Sequence, residues 1–349
     1  MSISGNDPVR TVLVGLRFGA SLADRKIFNQ PENARFMKIV GVCDRDKAKA
    51  DEYAARHGGL PVYYDLDDVL KLEDVEAVML MIPPAGRANA VRKCIQAKKH
   101  VFTTKPFESD PEAALAVLRE ARAAGLAVHM NSPAPLPSDD LAQILKWHDE
   151  YDLGKPISAY WETYAKYNEV ENGSWQDSYE KCPAAPIFRL GIYGLNELIA
   201  VLGEVEDVEL FTSRMTNHRP TPDNAQLMLK FKSGAIGSIY ASFCIGDGQY
   251  YPASLTLHYE RGTIYKKQIR RLEDPYFTHM EMRLSVAKDG KLYEESVTLP
   301  AENRSGEYQL DSFYNAVRNG ISGKETSPET IAEGIKVINM MAKKEKRIQ

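Results

Sequence analysis

Apolar residues in the first third of the chain fall in short, nearly unbroken runs: Thr11-Val-Leu-Val-Gly, Met37-Lys-Ile-Val-Gly-Val-Cys, Val75-Glu-Ala-Val-Met-Leu-Met-Ile, His100-Val-Phe-Thr-Thr and Ala127-Val-His-Met-Asn. Longer stretches separate them, among them the alanine-rich, helix-favouring segment from Pro111 to Ala124. Continuous β-branched runs suit strands buried on both faces, and their alternation with helices predicts a parallel, doubly wound sheet. The pattern changes after about Gly154. Ile157-Ser-Ala-Tyr-Trp-Glu-Thr-Tyr, Ala225-Gln-Leu-Met-Leu-Lys-Phe-Lys and Ala235-Ile-Gly-Ser-Ile-Tyr-Ala-Ser-Phe alternate apolar with polar residues, which reads as antiparallel strands with one wet face. Asp289-Gly290 predicts a tight hairpin. Helices are expected over Phe188 to Leu202, Tyr308 to Arg318 and Pro328 to Lys343, with Ser327 and Pro328 as N-cap and first-turn residues of the last.

The fold class that follows is α/β, with two domains. Residues 1–131 form a Rossmann domain, and residues 132–349 an α+β domain with a large open, mostly antiparallel sheet, its last helix free to pack back on the first domain. At 349 residues the chain exceeds what one hydrophobic core usually serves. A formal net charge of −4 with 44% apolar and 26% charged residues describes an ordinary soluble protein. Mild acidity argues against nucleic acid and anionic membranes as partners. The opening Met1-Ser-Ile-Ser-Gly-Asn-Asp-Pro lacks the basic and apolar regions of a signal peptide, and the scattered Cys43, Cys94, Cys182 and Cys244 read as reduced thiols, so a cytoplasmic protein is expected. Neither the cysteines nor the seven histidines have metal-ligand spacing, and no metal is expected.

Gly15-Leu-Arg17-Phe18-Gly19-Ala20 follows the first strand, where a dinucleotide fold needs a tight turn and close backbone approach to pyrophosphate. Arg17 stands at the second glycine position and Ala20 at the third, so the turn alone carries little weight. Asp44, at the tip of the second strand, adds to it: a carboxylate there hydrogen-bonds the adenosine ribose and repels a 2′-phosphate, favouring NAD. Arg45 leaves NADP open, since a guanidinium either stacks on adenine or receives that phosphate. Ile82, Pro83, Pro84, Thr104, Lys105 and Asn131 close the next three strands, where open α/β sheets present residues to ligands.

Taken in order, the glycine turn, Gly-Val-Cys-Asp44-Arg45, Met-Ile-Pro83-Pro84, Lys99-His100-Val-Phe-Thr-Thr104-Lys105-Pro106 and Leu190-Gly-Ile-Tyr193-Gly-Leu-Asn196 resemble the glucose-fructose oxidoreductase, inositol dehydrogenase and rhizopine-catabolism (Gfo/Idh/MocA) family. The resemblance covers nearly the whole chain. It implies an NAD(P)-dependent oxidoreductase acting on a CH–OH group of a sugar, sugar acid or cyclitol, and a homodimer or homotetramer. The family carries its catalytic lysine in a Glu-Lys-Pro tripeptide, which assigns Lys105 to catalysis and to substrate. Thr104 departs from the usual acidic neighbour. On the later helix many relatives place an Asp and a His one turn apart, and here those positions hold Arg189 and Tyr193. The glucose-fructose branch, in which a tyrosine takes the acid/base role, implies Tyr193 as Lys105's catalytic partner.

Spacing i, i+4 would put Arg189 and Tyr193 on one helix face with Asn196 near, leaving Ile192, Leu195, Leu198, Ile199 and Leu202 for the core. Three readings of Arg189 stand side by side: it binds an anionic substrate group, it pairs with a carboxylate such as Glu162 or Asp177, or the site has drifted from the usual chemistry. Tyr164 and Trp175, from an aromatic stretch before this helix, are candidates for contact with substrate, or equally for a sheet core or subunit interface. Alternatives to a freely exchanging dehydrogenase are a carbonyl reductase or dismutating oxidoreductase holding its cofactor tightly, and a catalytically silent, cofactor-binding regulatory protein.

Overall fold

A computed structural model describes residues 7–249, 251–270, 278–300 and 302–347. The chain divides into two compact units, Met1–Leu136 with Tyr308–Pro328, and Pro137–Glu307 with Glu329–Gln349. The first boundary therefore falls beyond residue 131. The segment that returns to the first unit carries the penultimate helix, while the last helix lies in the second unit.

In the first unit, strands β1 (Val9–Val14), β2 (Met37–Cys43), β3 (Val62–Tyr63), β4 (Ala77–Leu80), β5 (His100–Phe102) and β6 (Val128–His129) form one sheet in the order β3-β2-β1-β4-β5-β6, every pairing parallel. The apolar runs are buried because helices follow the strands: α1 (Phe18–Ala23), α2 (Lys47–Arg56), α3 (Leu66–Leu70), α4 (Arg87–Gln96) and α5 (Pro111–Ala123). Local chemistry starts these helices where it should. Asp46 accepts the Lys49 N–H at 3.2 Å to cap α2, and Asp110 accepts from Glu112 and Ala113 ahead of Pro111 to cap α5. The strand order reverses at β1, and ligands of such sheets bind beyond the carboxyl ends at that point.

The second unit opens with α6 (Asp139–Glu150) and β7 (Pro156–Tyr164), then α7 (Ile192–Leu202) and seven strands: β8 (Val205–Ser213), β9 (Asn224–Phe231), β10 (Ile236–Ser242), β11 (Ala253–Tyr259), β12 (Gly262–Arg270), β13 (Thr278–Lys288) and β14 (Lys291–Pro300). Helix α8 (Leu310–Asn319) belongs to the first unit, and α9 (Pro328–Lys344) is the last element among the described residues. The eight strands are ordered β14-β13-β12-β11-β7-β10-β9-β8. All their pairings are antiparallel except β7 with β10, which run parallel because α7, β8 and β9 intervene. At the β13–β14 hairpin Asp289 and Gly290 have φ of 53° and 71°, the two positive values a type I′ turn requires.

Helix α7 buries the expected stripe of Ile192, Leu195, Leu198, Ile199 and Leu202. Its approach to the sheet depends on Gly194, where a Cβ would fall inside the Trp161 indole. Beneath it Lys266 of β12 binds Asp140 of α6 at 2.7 Å and Glu197 of α7, whose other oxygen accepts the Trp161 indole N–H at 3.2 Å. All three ionic side chains are buried. Burial works against the charge of Asp140, but Lys266 and the donors from Ser138 and Ser305 outweigh it and its pKa falls. At Glu197 burial wins and the pKa rises. Lys266 is desolvated too, yet its two carboxylates lift it to about 12. No helix among the described residues is long and apolar enough to cross a membrane.

Candidate active site

The sequence-predicted residues of the first unit lie past the carboxyl ends of its strands. Gly15 has φ of 90°, and a Cβ there would lie 2.6 Å from the Met81 carbonyl oxygen, so no larger residue fits the turn after β1. At Gly19 a Cβ would approach Leu13 and Met81 to 3.0 Å, which seats α1 directly on the sheet. Arg17 and Phe18 are exposed between them, and Ala20 is half-buried. Asp44 accepts the Leu16 N–H at 2.7 Å and the Asp46 N–H at 3.0 Å, tying the tip of β2 to the glycine turn. A carboxylate has further lone pairs for a ribose diol, and exposed Arg45 lies beside it. This arrangement fits a dinucleotide: a turn that only glycine can make, with an acidic group at the next strand tip.

The loop after β4 places Ile82 half-buried, Pro83 exposed and Pro84 buried. The loop after β5 carries Thr104 and Lys105, both half-buried. Thr104 is well supported even without the family's acidic residue. Its hydroxyl accepts from the Tyr308 hydroxyl at 2.7 Å and donates to Asn131 Oδ1 at 3.4 Å. The same Asn131 oxygen accepts the Lys105 N–H at 3.2 Å. Asn131 is 2% exposed, and its amide oxygen serves the lysine loop. Sequence reasoning also missed Arg87, whose buried guanidinium donates to the carbonyls of Ile82, Thr104, Pro106 and Phe107. Missed too was Glu108, which accepts from the N–H groups of Gly86 and Ala88. A cation as first residue of a helix, against the dipole, was the available signal for Arg87. His100 is structural, as its place at a strand start implied: Nδ1 accepts the Ala127 N–H at 3.0 Å, and burial lowers its pKa to about 4.

In the second unit the segment before α7 is a π-helical turn, Ile187–Gly191. The wider turn breaks the 3.6-residue period on which the facing of Arg189 and Tyr193 was argued. Arg189 points its fork at Glu169, with both contacts bidentate at 2.7 and 2.8 Å, and its guanidinium lies 4.9 and 4.6 Å from the Tyr167 and Phe243 rings. Burial opposes the Glu169 charge, but Arg189 and Arg219 hold its pKa below the usual value. The partner is thus Glu169, not Glu162 or Asp177, and the fork is engaged within the protein. Asp177 binds Arg219, which also reaches Glu169 at 3.0 Å, so two arginines and two carboxylates pin this segment.

Tyr193 is half-buried, its ring packed on Gly306, where a Cβ would come within 2.8 Å. Asn196 is 7% exposed and packs on Gly334 of α9, 2.5 Å from where a Cβ would be. Trp175, partly buried, leans on the core against Phe188, ring centroids 6.0 Å apart. Tyr164 donates to Asp247 at 2.8 Å, and burial with that acid raises its pKa to about 12.

Comparison with known proteins matches residues 9–132 to the oxidoreductase family model with NAD-binding Rossmann fold (GFO_IDH_MocA), and residues 141–265 to the GFO/IDH/MocA C-terminal domain. Inositol 2-dehydrogenase of Rhodococcus erythropolis is 31% identical over 156 residues, 44% of this chain and 44% of that protein, so the alignment spans less than half of the relative. Among solved structures, levoglucosan dehydrogenase in complex with NADH and L-sorbose superposes with a TM-score of 0.72 at 16% identity, covering 97% of this chain and 96% of that one. Aldose-aldose oxidoreductase from Caulobacter crescentus complexed with glycerol gives 0.72 at 16% identity, with 97% of each chain covered. At these identities the structures share the fold.

Proposed function

Because the chain belongs to the Gfo/Idh/MocA oxidoreductase family, we propose that it oxidises or reduces one carbinol centre of a neutral sugar or cyclitol with a nicotinamide dinucleotide, Lys105 and Tyr193 acting on the substrate hydroxyl. The residues that would hold the dinucleotide are Gly15 to Ala20, Asp44 and Arg45, with Ile82, Pro83 and Pro84 toward the nicotinamide. When bound, it supplies the acceptor or donor of hydride. The Lys105 ammonium holds the substrate oxygen and favours its alkoxide character as the C–H bond weakens. Tyr193 takes the hydroxyl proton, and returns it in the reductive direction. A phenol has a reference pKa of about 10, so acting as a base near neutrality calls for positive charge beside it, which in this proposal Lys105 would supply.

The observation that carries this reading is the support given to Lys105, whose flanking carbonyls and N–H are each held by a buried side chain. Neutral substrates are favoured because the Arg189 fork, with Glu169 on it, is not offered to a uronate. Related proteins that act on inositol, and that bind sugars, point the same way. Self-association through the outer face of the eight-stranded sheet, where Tyr160, Met228 and Ile236 are exposed, gives the dimer or tetramer, which light scattering would measure.

The test is a panel of myo-inositol, scyllo-inositol, D-glucose and D-glucuronate with NAD+ or NADP+, followed by nicotinamide absorbance. Neutral polyols should turn over faster than the uronate. Tyr193→Phe should lower kcat by about 10²- to 10⁴-fold with dinucleotide affinity nearly unchanged. Full activity in that variant would overturn the assignment, and dinucleotide binding without turnover across the panel would favour the silent regulatory protein.

A further inference from the structure

We infer that Arg87 is a positioning residue for Lys105, clamping the loop that bears the amine to the loop that ends β4. The inference rests on the reading of Lys105 given above. Arg87 is the first residue of α4 and is 1% exposed. A cation in that place opposes the helix dipole, whose positive end is the amino terminus. Removing a guanidinium from water is costly in its own right, and burial draws its pKa down to about 10 against the pull of Glu108.

What offsets these costs is a set of main-chain carbonyls. Nη1 donates to Thr104, Pro106 and Phe107, and Nη2 donates to Ile82. These acceptors lie in loops, where no strand ladder serves them, and a buried carbonyl without a donor is destabilising. Thr104 and Pro106 flank Lys105, so one nitrogen steadies the lysine backbone from both sides while Asn131 takes its N–H. Glu108 makes a second tie between the same loops. Its carboxylate accepts from Gly86 at 3.0 Å and Ala88 at 2.7 Å, giving the amino end of α4 the negative charge it favours. Spanning two loops takes a planar fork with two separate nitrogens, which a lysine does not have.

Arg87→Lys keeps the charge and breaks the fork. In that variant amide deuterium uptake is expected to rise in segments 82–88 and 103–109 and nowhere else. With the fastest neutral polyol of the panel, kcat should fall by about 10- to 100-fold, the scale that a misplacement of about 1 Å produces. In a Lys105→Ala background the same change should lower kcat by less than about twofold more, because Arg87 acts through the amine. Full turnover in Lys105→Ala alone overturns the catalytic reading. A loss from Arg87→Lys that persists undiminished without the amine overturns this inference and leaves that reading standing. Uptake rising throughout the first unit, or unchanged kcat in folded Arg87→Lys, also overturns it. Should Arg87→Lys not fold, Glu108→Gln keeps the shape of the second tie but lets its amide oxygen serve only one of the two N–H groups. Its kcat should fall by about three- to tenfold with local uptake as above, and a value within about twofold of the parent overturns the clamp.

Discussion

Gly194 decides where α7 lies, because the Trp161 indole fills the space a side chain would need. Gly194→Ala should therefore push the helix off the sheet and destabilise the fold by about 1–3 kcal/mol or more, read as a lower urea midpoint with unchanged m-value. Other residues also took their meaning from neighbours far along the chain. Arg189 was legible as a departure from the family pattern, but its partner Glu169 stands twenty residues earlier in a loop, at a separation no helical or strand period encodes. Arg87 and Glu108 were passed over because a buried charge serving carbonyls leaves no motif. That Lys105 lies just past a strand's carboxyl end, by contrast, was legible from the apolar run before it.

At the scale of elements, the strands of the first unit were legible because unbroken apolar runs have few other solutions, and the later strands because their alternation marks one buried face. The parallel pairing of β7 with β10 was not, since residue period says which face is buried and nothing about a neighbour's direction. The π turn before α7 was hidden for a related reason: one extra residue per turn barely changes composition while rotating every side chain beyond it. What binds α6, α7 and β12 together is the buried Lys266 with its two carboxylates. Lys266→Met would leave both acids without a counter-charge and should cost about 3–5 kcal/mol, measured by denaturant unfolding. Converting Asp140 and Glu197 to apolar residues as well should recover a good part of that loss, since it is the uncompensated charge that destabilises most.

For the whole molecule, division into two domains was legible from length and from the change of pattern near Gly154, but the path of the chain was not. Nothing in the apolar pattern says that Tyr308–Pro328 returns to the first unit. That segment is held by specific partners: Phe313 rests against Phe102 with centroids 5.1 Å apart, Arg318 pairs with Glu76, and Glu325 meets His129 at 3.0 Å. Close to these contacts sits His100, whose neutral form is favoured in the fold by burial, with Arg318 and His129 adding to the effect and Glu76 opposing it. The unfolded chain binds a proton there near pH 6.5 and the folded chain only near pH 4, so stability rises with pH across that window and is lost as acid is added. Thermal melts should show Tm falling from about pH 6.5 downward, before most carboxylates titrate. His100→Gln should flatten that slope above about pH 5, and an unaltered slope would assign the loss to other groups.

The hydroxyl that steadies Thr104 comes from Tyr308, 204 positions later in the chain. A ribosome thus releases Lys105 long before it supplies the phenol that braces the threonine beside it. A polypeptide stopped anywhere in between would own the glycine turn and the lysine, but with the brace absent. The order in which this chain is written leaves that loop without this hydrogen bond for another 204 residues of synthesis.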